Sequence, residues 1–177
     1  QPFDVPPSWR RYIGVDFGFN NPSAAVWIAV DPETEIWYVY REYKKKGKTA
    51  QELANEISNL SSDEFIYKIY GDPSSPQSLK ELRKYFQGAV VPAENKVLDG
   101  IGAVIVKMRS GNLKIFSNLT EIQDELKSYR WKMSDEMIFD EPIKDNDHLL
   151  DAMRYVIYST SKSQGVRKVP VPKPVGW

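Results

Sequence analysis

The stretch Arg11-Tyr-Ile-Gly-Val-Asp-Phe-Gly-Phe-Asn20 decides how the chain is read. Tyr12, Ile13, Val15 and Phe17 are β-branched or aromatic, the composition of a buried strand. One carboxylate, Asp16, interrupts them, with Gly18 just beyond. An unpaired charge in a strand core costs on the order of several kcal/mol, so such an Asp is normally paired or holds a metal. Asp72 and Asp151 are the next acids in comparably odd positions. The three are expected to converge on divalent metal ions.

Working outward, Asn20 to Ser23 reads as a turn, Ala24 to Val30 as a second strand and Asp31 to Thr34 as another turn. Glu35 to Tyr43 alternates and is heavily aromatic, a third strand. Three strands on short turns make an antiparallel meander. Thr49 to Leu60 has helical spacing, with Thr49 and Glu52 set as a capping box. Phe65 to Tyr70 is a fourth strand, and the intervening helix makes it a crossover that lies parallel to the first. Pro76 to Phe86 reads as a helix and Ala89 to Pro92 as a short strand. Val97 to Met108 is β-branched but helically spaced, and helix is favoured. Leu113 to Phe116 is a short strand and Thr120 to Tyr129 a helix. Met133 to Pro142 reads as an irregular or hairpin excursion. A last helix, capped by Asp145 or Asn146, runs to about Ser161. This order predicts an α/β fold, a mixed sheet with helices on its faces, and resembles the ribonuclease H-like fold.

Three parts are expected: residues 1–10 as a proline-rich linker, 11–161 as the folded domain and 162–177 as an extended proline-rich tail. At 41% hydrophobic the chain can build a sizeable core. It has no cysteine, which excludes disulfides, thiolate zinc sites and cysteine nucleophiles, and one histidine excludes a His-rich metal cage. Lys plus Arg and Asp plus Glu balance at 24 each, so any nucleic-acid surface must come from local clustering. No run approaches about 18 apolar residues and no signal-peptide pattern opens the chain, so a soluble intracellular protein is expected.

Asp16 lies in a central strand, Asp72 at the carboxyl end of its parallel neighbour, and Asp151 on the last helix. Ligands of open α/β sheets gather beyond the carboxyl ends of strands. Three crowded carboxylates repel unless a cation holds them, and all-oxygen ligation suits Mg²⁺ or Mn²⁺, here two ions. Asp147 shares a helical face with Asp151; it is either an added ligand or a carboxylate stabilising the helix N-terminus. His148 is a structural group, a ligand or a general base. Glu42 could join the cluster. Lys44, Lys45, Lys46 and Lys48, and separately Lys96, Lys107, Arg109 and Lys114, are candidate phosphate contacts, with backbone rather than base recognition.

The segments Ile13–Gly18, Tyr70–Ser78, Pro92–Lys96 with Asp99–Ile101, and Glu141–Tyr155 together resemble the nuclease domain of the large terminase subunit of tailed double-stranded DNA bacteriophages. The resemblance implies a metal-dependent endonuclease cutting concatemeric viral DNA during genome packaging. Asp16, Asp72 and Asp151 would be its ligands, His148 or Asp147 an accessory ligand, and Lys96 a neighbour of the site. It implies an ATPase motor domain preceding the nuclease, and the portal and small terminase subunit as partners in the host cytoplasm, with no membrane. No GxxxxGK[ST] occurs here, so the motor is expected outside this stretch. Two alternatives stand beside it. One is a Holliday-junction-resolvase-type nuclease sharing the carboxylates; the other is a non-catalytic DNA-binding module.

Overall fold

The computed structural model describes residues 1–131, 142–143 and 147–163. The opening strand β1 (Arg10–Asp16) pairs antiparallel with β2 (Ser23–Val30), and β2 pairs antiparallel with β3 (Trp37–Lys45). Helix α1 (Ala50–Leu60) then carries the chain across to β4 (Ile66–Gly71), which lies parallel to β1. Helix α2 (Pro76–Tyr85) leads to β5 (Val90–Pro92), parallel to β4; α3 (Val97–Arg109) leads to β6 (Leu113–Ile115), parallel to β3. The sheet order is β5-β4-β1-β2-β3-β6, an antiparallel meander flanked by parallel strands on both sides. The chain continues through α4 (Thr120–Ser128), a small antiparallel pair β7 (Arg130–Trp131) and β8 (Pro142–Ile143), and α5 (His148–Ser163). The expected cap at Asp145 or Asn146, nearly all of the excursion from Met133 to Pro142 and nearly all of the proline-rich tail lie outside the described residues.

Strand alternation divides the core into two layers. Ile13, Val15, Ala25 and Trp27 face α1 and α2, packing on Leu53, Ala54, Ile57, Leu79 and Leu82. Trp27 is fully buried, and its indole N–H is satisfied by Ser61 Oγ at 2.9 Å. On the other face, Tyr12, Ala24, Val26 and Ile28 meet Leu149, Met153, Val156 and Ile157 of α5, with Ile122 of α4 beside them. Both inner helical stripes follow the 3.6-residue period that the sequence showed. Helix α1 starts as expected: the Thr49 side chain accepts from Glu52 N–H, and the Glu52 carboxylate accepts from Thr49 N–H at 2.9 Å.

Gly14 sets the distance between α5 and the sheet. A Cβ there would lie 1.8 Å from the Ala152 carbonyl oxygen and 2.9 Å from Val156 Cγ2. Only glycine lets the helix backbone come so near the strand. Gly14 and Asp16 point to the same face of β1, so this contact brings the first turns of α5 over Asp16.

The segment before β1 is tied to the sheet. The Arg11 guanidinium donates to the carbonyls of Val5, Pro6 and Pro7 at 2.9, 3.1 and 3.2 Å. Phe3 packs edge-on against Trp9 and Tyr38, and Trp9 stacks on Tyr38.

Candidate active site

Asp16 is the last residue of β1, and Asp72 follows the last residue of β4. Val15 is in register with Gly71, and the Asp72 N–H bonds the Val15 carbonyl at 3.2 Å. The two acids therefore stand side by side at the carboxyl ends of adjacent parallel strands. Helix α5 crosses above them and adds His148 and Asp151, with Asp147 just before its start. Asp16, Asp72, Asp147, His148 and Asp151 all line one open cleft of about 800 Å³. The loop after β1, Lys46, Asn95 and Tyr155 complete its wall.

Burial dominates the electrostatics of Asp16, which is 8% exposed. It pushes the carboxyl up, His148 pulls it back through a hydrogen bond, and Asp151 and Asp72 push it up again. His148 Nδ1 lies 2.9 Å from Asp16 Oδ2, and that bond is the main reason the imidazole is held above its ordinary value. Tyr155, 2% exposed, has its hydroxyl pushed up first by burial and then by Asp16, Asp151 and Asp72. One tyrosine feels all three acids, which locates their negative charge in one place.

The buried Arg154 fixes Asp151. Its Nε and Nη2 donate to Asp151 Oδ1 at 3.0 and 2.9 Å, and Nη1 and Nη2 reach Asn95 Oδ1 at 3.4 and 3.3 Å. Gly100 of α3 makes room for this side chain: a Cβ there would stand 2.8 Å from Arg154 Cγ. Asp72 has a local bond as well, its Oδ1 accepting from Ser74 N–H at 2.9 Å. Among the described residues no three His, Asp or Glu side chains form a ready-made metal cage. The donor set nevertheless suits a hard divalent cation: carboxylate oxygens share one cleft, and Asp151 and Asp72 raise the proton affinity of Asp16, a repulsion that a cation relieves.

Other sequence expectations divide. Glu42 lies outside the cleft wall: its carboxylate accepts from the N–H groups of Glu121 and Ile122 at 3.1 and 2.9 Å, capping α4. A helix N-terminus competes well for a carboxylate. Lys46 lines the cleft. Lys44 bonds Glu125 Oε1 at 2.7 Å, Lys45 bonds Glu56 Oε2 at 3.2 Å, and Lys48 pairs with the same Glu56. Lys96 is exposed just before α3, between the lining residues Asn95 and Val97. Glu125 is the residue that sequence reasoning missed. It is 1% exposed, and its Oε2 accepts from the N–H groups of Leu149 and Leu150 at 2.9 and 3.1 Å, mooring the start of α5.

This combination of sheet order and acid cleft defines a ribonuclease H-like domain. Residues 13–160 match the family described as the terminase RNaseH-like domain, and the chain belongs to that family. It is 28% identical over 161 residues to the terminase large subunit of Escherichia phage T5, covering 89% of this chain and 37% of that relative. The chain thus spans little more than a third of that relative's length. The large terminase of a thermophilic bacteriophage, solved in complex with ATP-gamma-S, superposes with a TM-score of 0.79 at 29% identity, over 88% of this chain and 41% of that one. The nuclease domain of the large terminase of bacteriophage SPP1, solved with bound Mn, shares the fold at a TM-score of 0.66 and 17% identity, with 87% and 86% covered.

Proposed function

We propose that this chain is a metal-dependent DNA endonuclease domain that cuts concatemeric viral double-stranded DNA during genome packaging. The observation that carries the reading is the meeting of Asp16, Asp72 and Asp151 in one cleft at the carboxyl ends of β1 and β4. Membership of the terminase RNaseH-like family and the Mn found in the SPP1 domain support it. Asp16, Asp72 and Asp151 would hold the cation pair, with Asp147 or His148 as the accessory group. Two bound Mg²⁺ or Mn²⁺ ions would supply an activated water and neutralise the leaving oxygen of a phosphodiester.

The chain's own residues prepare that chemistry. Arg154 and Asn95 hold Asp151 in one orientation, and Glu125 holds the helix turn that bears it. Burial gives Asp16 a strong appetite for a positive partner. In the protein without metal His148 fills that role at Nδ1 and can take or hold a proton there. Lys46 stands where a backbone phosphate would pass, a contact blind to sequence. By analogy with the longer relatives, an ATPase motor belongs to the whole protein, with the stretch before β1 leading from it and the stretch after α5 forming the tail. The portal and small terminase subunit would be its partners in the host cytoplasm. Among the described residues no helix is long and apolar enough to cross a membrane.

The test is conversion of supercoiled plasmid in Mn²⁺. Wild-type protein is expected to nick and linearise it, and Asp16→Asn or Asp151→Asn to abolish this. Cutting by either variant at the wild-type rate, or none by the wild type with Mn²⁺ bound, would overturn the reading.

A further inference from the structure

The loop between β1 and β2 presents a large aromatic ring at the rim of the cleft. Phe19 is 61% exposed and shares the cleft wall with Asn20, Asn21 and Lys46. Single exposed apolar residues are ordinary on protein surfaces. This one is held on a built support. A Cβ on Gly18 would lie 2.5 Å from the Asn21 carbonyl oxygen and 2.7 Å from that of Pro22, so the loop folds tightly onto itself. Ser23 Oγ accepts from Gly18 N–H at 3.1 Å and donates to the Gly18 carbonyl at 2.6 Å. The Phe19 carbonyl accepts from Gly47 N–H at 3.2 Å, which joins the loop to the turn that carries Lys46. The backbone is tied on both sides of the ring, while the ring itself meets solvent.

An aromatic face beside a cation is the arrangement on which unpaired bases stack while their phosphates follow the positive charge. A base inside a duplex offers no free face, because its neighbours cover both sides. We propose that Phe19 is a stacking platform for one unstacked base of the nucleic-acid strand lying in the acid cleft, with Lys46 against the adjoining phosphate. The strand is engaged where it is peeled or kinked out of the double helix. The proposal rests on the nuclease reading for the direction of the strand. Its own test is made by binding, so the two can fail separately.

The experiment uses the 177-residue chain carrying Asp16→Asn, in EDTA, with a single-stranded oligonucleotide bearing one fluorescent base analogue and with a duplex of equal length. Phe19→Ala is expected to weaken single-strand binding at least about fivefold and to abolish quenching of the analogue, with Phe19→Trp keeping both. Duplex binding is expected to change less than about twofold, since phosphate contacts dominate it. Single-strand affinity unchanged in Phe19→Ala, or fully retained in Phe19→Leu, would overturn the proposal. Equal melting temperatures of the variants establish that the loop change leaves the fold in place. Failure of the wild type to cut plasmid would remove the nuclease reading and leave this binding result standing.

Discussion

The Ala152 carbonyl oxygen occupies the place where Gly14 would carry a side chain: an added Cβ would stand 1.8 Å from it. Helix and strand thus touch backbone to backbone two residues before Asp16 and one residue after Asp151. The obstructing atom belongs to a helix backbone that also packs on β2 through its own side chains, so it cannot swing aside. Gly14→Ala is expected to destabilise the protein by about 3 kcal/mol, the upper end of overpacking costs. A denaturant midpoint measured beside that of Gly47→Ala checks this. Gly47 has open space around its Cβ position, and its φ of 69° gives that control only a local backbone strain.

Glu125 joins α4, β3 and α5 through Lys44 and the N–H groups of Leu149 and Leu150. Burial holds its carboxyl above the ordinary value, against the opposing pull of Lys44 and the two backbone donors. Removing one member of a buried pair leaves the other desolvated without compensation. Glu125→Ala is expected to cost about 3–5 kcal/mol. Urea unfolding curves give the number, and a loss below about 1 kcal/mol would show that the start of α5 holds without this carboxylate.

Asp16 is kept in the core against its own preference, since burial and two neighbouring acids all raise its carboxyl. Asp16→Asn removes the charge while keeping an oxygen for His148. The metal-free variant is expected to melt no lower than wild type, a stability gained at a functional position. Mn²⁺ at about a hundred times its dissociation constant is expected to stabilise wild type by about 2.7 kcal/mol and the variant far less. Calorimetry with and without EDTA reads both effects.

Glu56 is an acid-side reporter away from the cleft. Its carboxyl is lowered to about 2, by Lys48 first and also by Lys45, both of which pair with it. A carboxyl depressed in the folded state adds stability above its unfolded value, near about 4.5, and loses it as pH falls through the folded one. Glu56→Gln is therefore expected to lower the melting temperature at pH 7 and to match wild type near pH 2. Solvent screening keeps the effect small. Melting curves of the two proteins across that range make the comparison.

The meander and the β4 crossover were legible because alternating apolar residues and short turns are local signals, and β4 lies parallel to β1 as the crossover rule requires. The meeting of Asp16, Asp72 and Asp151 in one cleft was legible as well, because a charge in an apolar strand has few innocent explanations and the carboxyl ends of strands are where such groups gather. Glu125 and Lys44 were not. They are 81 positions apart, and each alone looks like an ordinary solvated charge. Gly14 was passed over for a similar reason. A glycine in a strand marks a close approach, but the sequence does not say what approaches. Arg154 is a third instance: the helical period puts it near Asp151, while its burial depends on Gly100 of a separate helix.

Helices α1 and α2 supply none of the side chains that line the cleft. They fill the far side of the sheet through Leu53, Ala54, Ile57, Leu79 and Leu82. That layer acts on the cleft only through its bulk and its oiliness. Volume-conserving swaps of one aliphatic side chain for another there are therefore expected to leave the placement of the acids unchanged.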